Sequence, residues 1–189
     1  MPPLHPIVPQ TPAEKAAGQW TIASRVVDAL AVAESRFGPR DGAFNLLGYM
    51  FDGAFPRLGV DLDQKTLLLF LADYSEQDFS QAIYQLSHEV VHMLAPAGSG
   101  RPTYLEEGLA TLFSEQYTYQ ATGLSYTSPI PSYTTALEAV VAFMVDDQTM
   151  RNLRTIQPTF SAVTQAMLKS ASPNCPDTVA DLLCSTFQR

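Results

Sequence analysis

Residues 88–92 read His88-Glu89-Val90-Val91-His92, and this run constrains the chain more than any other. It lies within an apolar stripe of Phe79, Ile83, Leu86, Val90, Val91 and Leu94. The three- and four-residue spacing predicts an amphipathic helix ended by Pro96. Residues four apart on a helix sit one turn above each other, with Cβ atoms about 5–6 Å apart. Two imidazoles so placed can both reach one Zn2+ ion at about 2.0–2.1 Å, which is the physical content of H-E-x-x-H. Glu89 is rotated by roughly 100° from His88, too far round to be a first-choice ligand. It can instead accept the proton of an attacking water. The chain has only three histidines, and two of them fall at this spacing.

A catalytic zinc site takes three protein ligands and keeps a fourth position open. The next predicted helix, Tyr104 to about Gln120, opens Tyr104-Leu105-Glu106-Glu107-Gly108-Leu109-Ala110. Thr103 is a good N-cap and Glu106 follows three residues later, so a capping box is expected, with the Glu106 side chain returning to the first amide of its own helix. Glu107 is then the expected third ligand and Glu106 the alternative. Gly108 and Ala110 add little bulk, which predicts that this helix lies close to the histidine helix.

H-E-x-x-H followed by Y-L-E-E-G-L-A resembles the gluzincin metallopeptidases, whose second helix in the zinc aminopeptidases reads W-L-N-E-G-F-A. The resemblance spans about residues 75–120, and 14 residues separate His92 from Glu107, a little fewer than in the aminopeptidases. It implies a zincin-like metalloprotease domain in which His88, His92 and Glu107 bind Zn2+, Glu89 is the general base and the substrate is a peptide or protein. Those aminopeptidases also carry a P-Y-E-K-G-x-A-type segment whose tyrosine stabilises the oxyanion. Pro131-Ser132-Tyr133-Thr134-Thr135-Ala136-Leu137 is similar in position and order, which implies that role for Tyr133. One such donor is worth about 3–4 kcal/mol. Tyr117, Tyr119 and Tyr126 lie in the same region and are the alternatives. The aminopeptidase strand motif G-x-M-E-N is only faintly echoed by Gly48-Tyr49-Met50-Phe51-Asp52, too far upstream, so an endopeptidase or a narrowly specific protease is expected. The chain is far shorter than those enzymes, which implies a minimal, single-domain member. A reading from another class is a non-catalytic zinc-binding regulatory or interaction module on a metalloprotease scaffold. Glu89 argues against it, because a structural zinc site needs no base and is normally closed by four ligands.

With 189 residues and 46% apolar side chains, the chain suffices for one core. Residues 1–12 hold five prolines and are read as an extended arm, with 13–189 as the single domain. The 19 acids against 11 bases, net −8, form no basic stripe, so nucleic-acid binding is not expected. No apolar run approaches the ~18–20 residues a membrane span needs. The amino terminus has neither a basic start nor an apolar stretch, and a cytoplasmic location is expected.

The fold expected is α+β: a small mixed sheet, the active-site helix packed on it, and a helical carboxyl half. A helix is predicted from Thr11 or Pro12 to Phe37, with Trp20, Ala23, Val27, Leu30 and Ala31 as its apolar face. Phe44–Phe51 is ambiguous between strand and helix because Gly48 lowers both propensities, whereas Lys65–Ala72 reads as a strand. A turn over Ala97–Pro102 and helices near 132–146, 158–170 and 176–187 follow. Nine helical steps would part Cys175 from Cys184 by about 13 Å, so no disulfide is expected. A ligating imidazole usually donates its other N–H to a carboxylate; Asp146, Asp147, Glu115 and Glu138 are the candidates. His5, in the arm, is read as a disordered tail residue, with contact between arm and metal cleft the alternative.

Overall fold

The apolar run at 66–71 forms the centre of a four-stranded sheet. The computed structural model describes residues 2–97, 101–144 and 146–189. Residues 98–100 of the turn expected over Ala97–Pro102, and residue 145 of the helix expected near 132–146, lie outside the described residues. The strands are β1 (His5–Pro6), β2 (Asn45–Phe51), β3 (Arg57–Asp61) and β4 (Thr66–Leu71), in spatial order β1-β2-β4-β3. β2 and β4 run parallel, and both outer strands pair antiparallel, so β3 has one free edge. Alternate residues of β4, namely Leu67, Leu69 and Leu71, are buried, as a strand with helices on one face requires.

The ambiguous 44–51 segment is a strand, and Gly48 has a steric reason. The register between β2 and β4 shifts at Leu46/Gly48, and a Cβ on Gly48 would lie 2.4 Å from the His5 carbonyl oxygen. Only glycine lets β1 approach there. The reading of His5 as a disordered tail residue is thereby corrected: it pairs opposite Tyr49, stacks on that ring at 4.9 Å, and is not among the residues lining the cleft with His88, His92 and Glu107.

Eight α-helices are present among the described residues. The single helix expected to Phe37 is two: α1 (Pro12–Ala16), capped by Thr11, and α2 (Ile22–Phe37), capped by Thr21. Gly18, with φ +66°, breaks the chain between them. The buried face of α2 is Val26, Ala29, Leu30, Ala33 and Phe37, rotated from the expected Val27/Ala31 face. α3 (Phe79–Met93) starts at Asp78, whose side chain accepts from Gln81 N–H, and buries Ile83, Leu86, Val90 and Val91. It packs against β4, β3 and α2. α4 (Tyr104–Thr122) packs between α3 and α5 (Pro131–Phe143) and ends at Gly123 in the left-handed conformation.

The carboxyl third differs from expectation in its boundaries. α6 (Asp147–Ile156), capped by Asp146, occupies a stretch with few apolar residues, and α7 (Gln165–Ala171) replaces the longer helix expected at 158–170. Buried Arg154 ties α6 to the end of α3 by donating to Leu94 O at 3.0 Å. α8 (Asp177–Cys184) begins after Pro176, and both cysteine thiols are free. No helix among the described residues is long and apolar enough to cross a membrane.

Candidate metal centre

α3 and α4 meet where each carries its polar residues. His88 and His92 stand one turn apart on α3, with ring centroids 5.2 Å apart. Opposite them, α4 presents Glu107: His88 Nε2 lies 3.1 Å from Glu107 Oε2, and His92 Nε2 lies 3.9 Å from Glu107 Oε1. One ligating atom from each of His88, His92 and Glu107 falls within 4.8 Å of the others, so these three side chains can hold a metal ion. Two imidazole nitrogens and one carboxylate are the donor set of a three-ligand site with a position to spare. His88, Glu89, Glu106 and Glu107 are each less than a tenth exposed.

Glu106 departs from its expected role. Thr103 Oγ1 does accept from Glu106 N–H, at 3.4 Å, but the Glu106 carboxylate does not return to its own helix. Instead it accepts from His92 Nδ1–H at 2.7 Å. The capping box is half built because a buried imidazole offers the carboxylate a charge-assisted partner, stronger than a neutral amide. This bond fixes the ring so that Nε2 faces Glu107. The four acids expected as orienting partners are occupied elsewhere: Asp146 caps α6, Asp147 pairs with Arg36 at 3.0 Å, Glu115 sits by the Ser128 backbone and Glu138 is exposed.

The electrostatics follow from burial and from the crossing of acids with imidazoles. Burial pulls the His92 pKa down, but the hydrogen bond to Glu106 and the charges of Glu106, Glu107 and Glu89 outweigh it and raise it to about 10. Burial pushes Glu107 up, yet the bond to His88 and the nearby His92 hold its carboxyl below the ordinary range. For Glu89 burial wins: its pKa is raised despite the two imidazoles.

Gly108 faces α5. A Cβ there would lie 2.2 Å from Ala136 O and 2.6 Å from Val140 Cγ2, so the close approach expected between α4 and α3 is made, at this residue, with α5. It brings the head of α5 to the site, where the Tyr133 ring sits 5.6 Å from His88. Burial, with Glu107 nearby, raises the Tyr133 hydroxyl to about 12. The alternative tyrosines are elsewhere: Tyr117 donates to Asp28 Oδ2 in the core, Tyr119 is exposed and Tyr126 stacks on Tyr84.

These groups line a cleft of about 510 Å3, walled by Phe55, Tyr74, Pro96 and Ile130 among others. Two further lining residues carried no legible signal in the sequence. Gln85, one turn before His88, accepts from Ala72 N–H (2.9 Å) and Ser75 Oγ–H (3.1 Å), which leaves its Nε2 without a partner among the described residues. Arg189 reaches the cleft from the far end of the chain. The spacing of apolar and polar residues cannot report either, since one depends on a turn in the chain before α3 and the other on a tail.

Compared with protein families, with characterised proteins and with solved structures, the chain matches none.

Proposed function

We propose that this protein is a zinc-dependent peptide hydrolase of the gluzincin type, on a zincin-like fold, and that it acts as an endopeptidase or a narrowly specific protease. The observation that carries the reading is Glu89: a third buried carboxylate beside the His88, His92 and Glu107 donor set, outside that set, at the wall of an open cleft. His88, His92 and Glu107 would hold the ion. Bound Zn2+ supplies Lewis acidity, which polarises the scissile carbonyl and makes water a nucleophile near neutral pH.

The protein's own residues do the rest. Glu89, with its pKa raised by burial, takes a proton from the water and returns it to the leaving amine. Tyr133 stays protonated at neutral pH and donates to the developing oxyanion. Gln85 Nε2 is a further donor for a peptide carbonyl at the cleft wall. The free edge of β3, whose Leu58 and Val60 line the cleft, offers an extended peptide a backbone partner.

Metal analysis of the purified protein is expected to find close to one zinc per chain, and less in Glu107→Ala. Glu89→Gln should keep its metal but cleave a peptide library about 10²–10⁴-fold more slowly than the parent. A parent without metal under non-chelating conditions, or Glu89→Gln as active as the parent, would overturn the reading.

A further inference from the structure

The cleft contains a cation that peptide hydrolysis, as proposed, leaves unused. Residues 185–189 run along the head of α4. Tyr104 N–H donates to Ser185 O at 3.1 Å, Thr186 forms an antiparallel bridge with Thr103, and Phe187 N–H donates to Pro102 O at 2.9 Å. Phe187 is 8% exposed, its ring 5.0 Å from Tyr104 and 4.9 Å from Tyr133. These fixings carry Arg189 to the cleft, where its guanidinium lies 4.6 Å from the Phe55 ring centre and 5.9 Å from that of Tyr133. Phe55 stands just before β3 and Tyr133 heads α5, so the guanidinium spans from one wall to the other.

Its neighbours leave it available. Arg189 makes no hydrogen bond or ion pair among the described residues. The cleft's other arginine, Arg57, is bound to Asp52 at 2.7 Å and lies over Phe70. Of the three acids lining the cleft, Glu106 is engaged by His92 and Glu107 by His88, and Glu89 is the buried carboxylate assigned above as the base. Arg189 is near enough to pull the pKa values of Glu107 and Tyr133 downward, which sets it beside the reacting groups. A guanidinium held by aromatic rings keeps its N–H fork free, and that fork matches a carboxylate.

We propose that Arg189 is the carboxylate anchor of this cleft, and that the peptides it takes carry a carboxylate at the position meeting the rim, either an acidic side chain or a free terminal carboxyl. The inference rests on the peptide-hydrolase reading of the same site for its choice of substrate class.

The test measures binding by fluorescence anisotropy to the 189-residue chain carrying Glu89→Gln and loaded with zinc. The probes are three versions of one labelled Ala/Leu/Phe octapeptide: a central Glu with an amidated end, no acid with a free carboxyl end, and no acid with an amidated end. At least one acid-bearing version should bind about tenfold more tightly than the neutral amide, and which one does so identifies the source of the carboxylate. Adding Arg189→Gln should bring the ratio to about one, and Arg189→Lys should retain part of it. Equal binding of all three, no binding of any, or a preference that survives Arg189→Gln overturns the anchor. The parent protein is then given the same peptides. Arg189-dependent binding with no cleavage leaves the anchor standing and removes the hydrolase reading, whereas cleavage without a carboxylate preference in binding does the reverse.

Discussion

Two neighbouring carboxylates on α4 face the two imidazoles of α3 and do different things there. Glu107 meets both Nε2 atoms, while Glu106 accepts a hydrogen bond from His92 Nδ1–H and so sets the tilt of that ring. Partners of this kind usually matter to metal affinity about 10–100-fold. Glu106→Ala should therefore weaken zinc binding by that factor in competition with a chelating indicator, and Glu106→Gln, which keeps an acceptor and loses the charge, by less. Equal affinity in all three proteins would show that the 2.7 Å contact does not orient the ligand. The residue scale was also where the sequence spoke most clearly and misled most specifically. His88, His92 and Glu107 were legible as a group: helical geometry alone brings residues i and i+4 together, and Glu107 was singled out by giving Glu106 to a capping box that is only half built. The role of Glu106 was not, since a capping box describes competition within one helix and cannot register an imidazole arriving from another.

Among the elements, the contact between α4 and α5 decides where Tyr133 stands. It depends on the absence of a side chain at Gly108, where a Cβ would sit 2.2 Å from a backbone oxygen that cannot swing aside. Gly108→Ala should destabilise the protein by about 1–3 kcal/mol, the usual cost of overpacking, read as a lower urea midpoint. Gly42→Ala serves as the control: nothing lies within 4 Å of its Cβ, and its effect should stay within about 0.5 kcal/mol. If the two substitutions cost the same, the tight α4/α5 contact is not what Gly108 is for. Three elements could be read from sequence on different signals: α3 from its apolar stripe, β4 from a short apolar run between turn residues, and α4 from the Thr103 cap that opens it. β3 could not: Arg57-Leu58-Gly59-Val60-Asp61 is half-exposed along an edge, and Gly59 makes room for the Phe70 ring instead of packing a side chain of its own. α6 was missed for a related reason: its apolar contact with the core is only Met150 and Leu153, and Asp146 capping and Arg154 anchoring complete its hold.

At the scale of the whole molecule, the site joins α3, which lies on the sheet, to α4, against which α5 and α8 pack, so an ion held there would link metal binding to folding. A ligand bound to the folded state at about 1,000 times its Kd adds about 4 kcal/mol. In a chain of this size that corresponds to a Tm rise on the order of 10 °C, which a chelator should remove. The pH dependence follows from His92. In the metal-free protein its pKa is raised to about 10, above the unfolded value near 6.5. A raised folded value contributes stability that is fully present below the unfolded pKa and is lost as pH climbs through the folded one. The metal-free protein should therefore lose this contribution between about pH 6.5 and 10. Metal binding needs the imidazole neutral, so the loaded protein has no such contribution to lose and gains as unfolded histidines stop binding protons. The difference in Tm between loaded and metal-free protein should thus widen steadily from pH 6 to pH 9, measured by calorimetry at fixed free zinc. A difference that stays constant or narrows would mean that His92 is not the protonated partner of Glu106 in the metal-free state, and that the ion does not displace a proton from that ring.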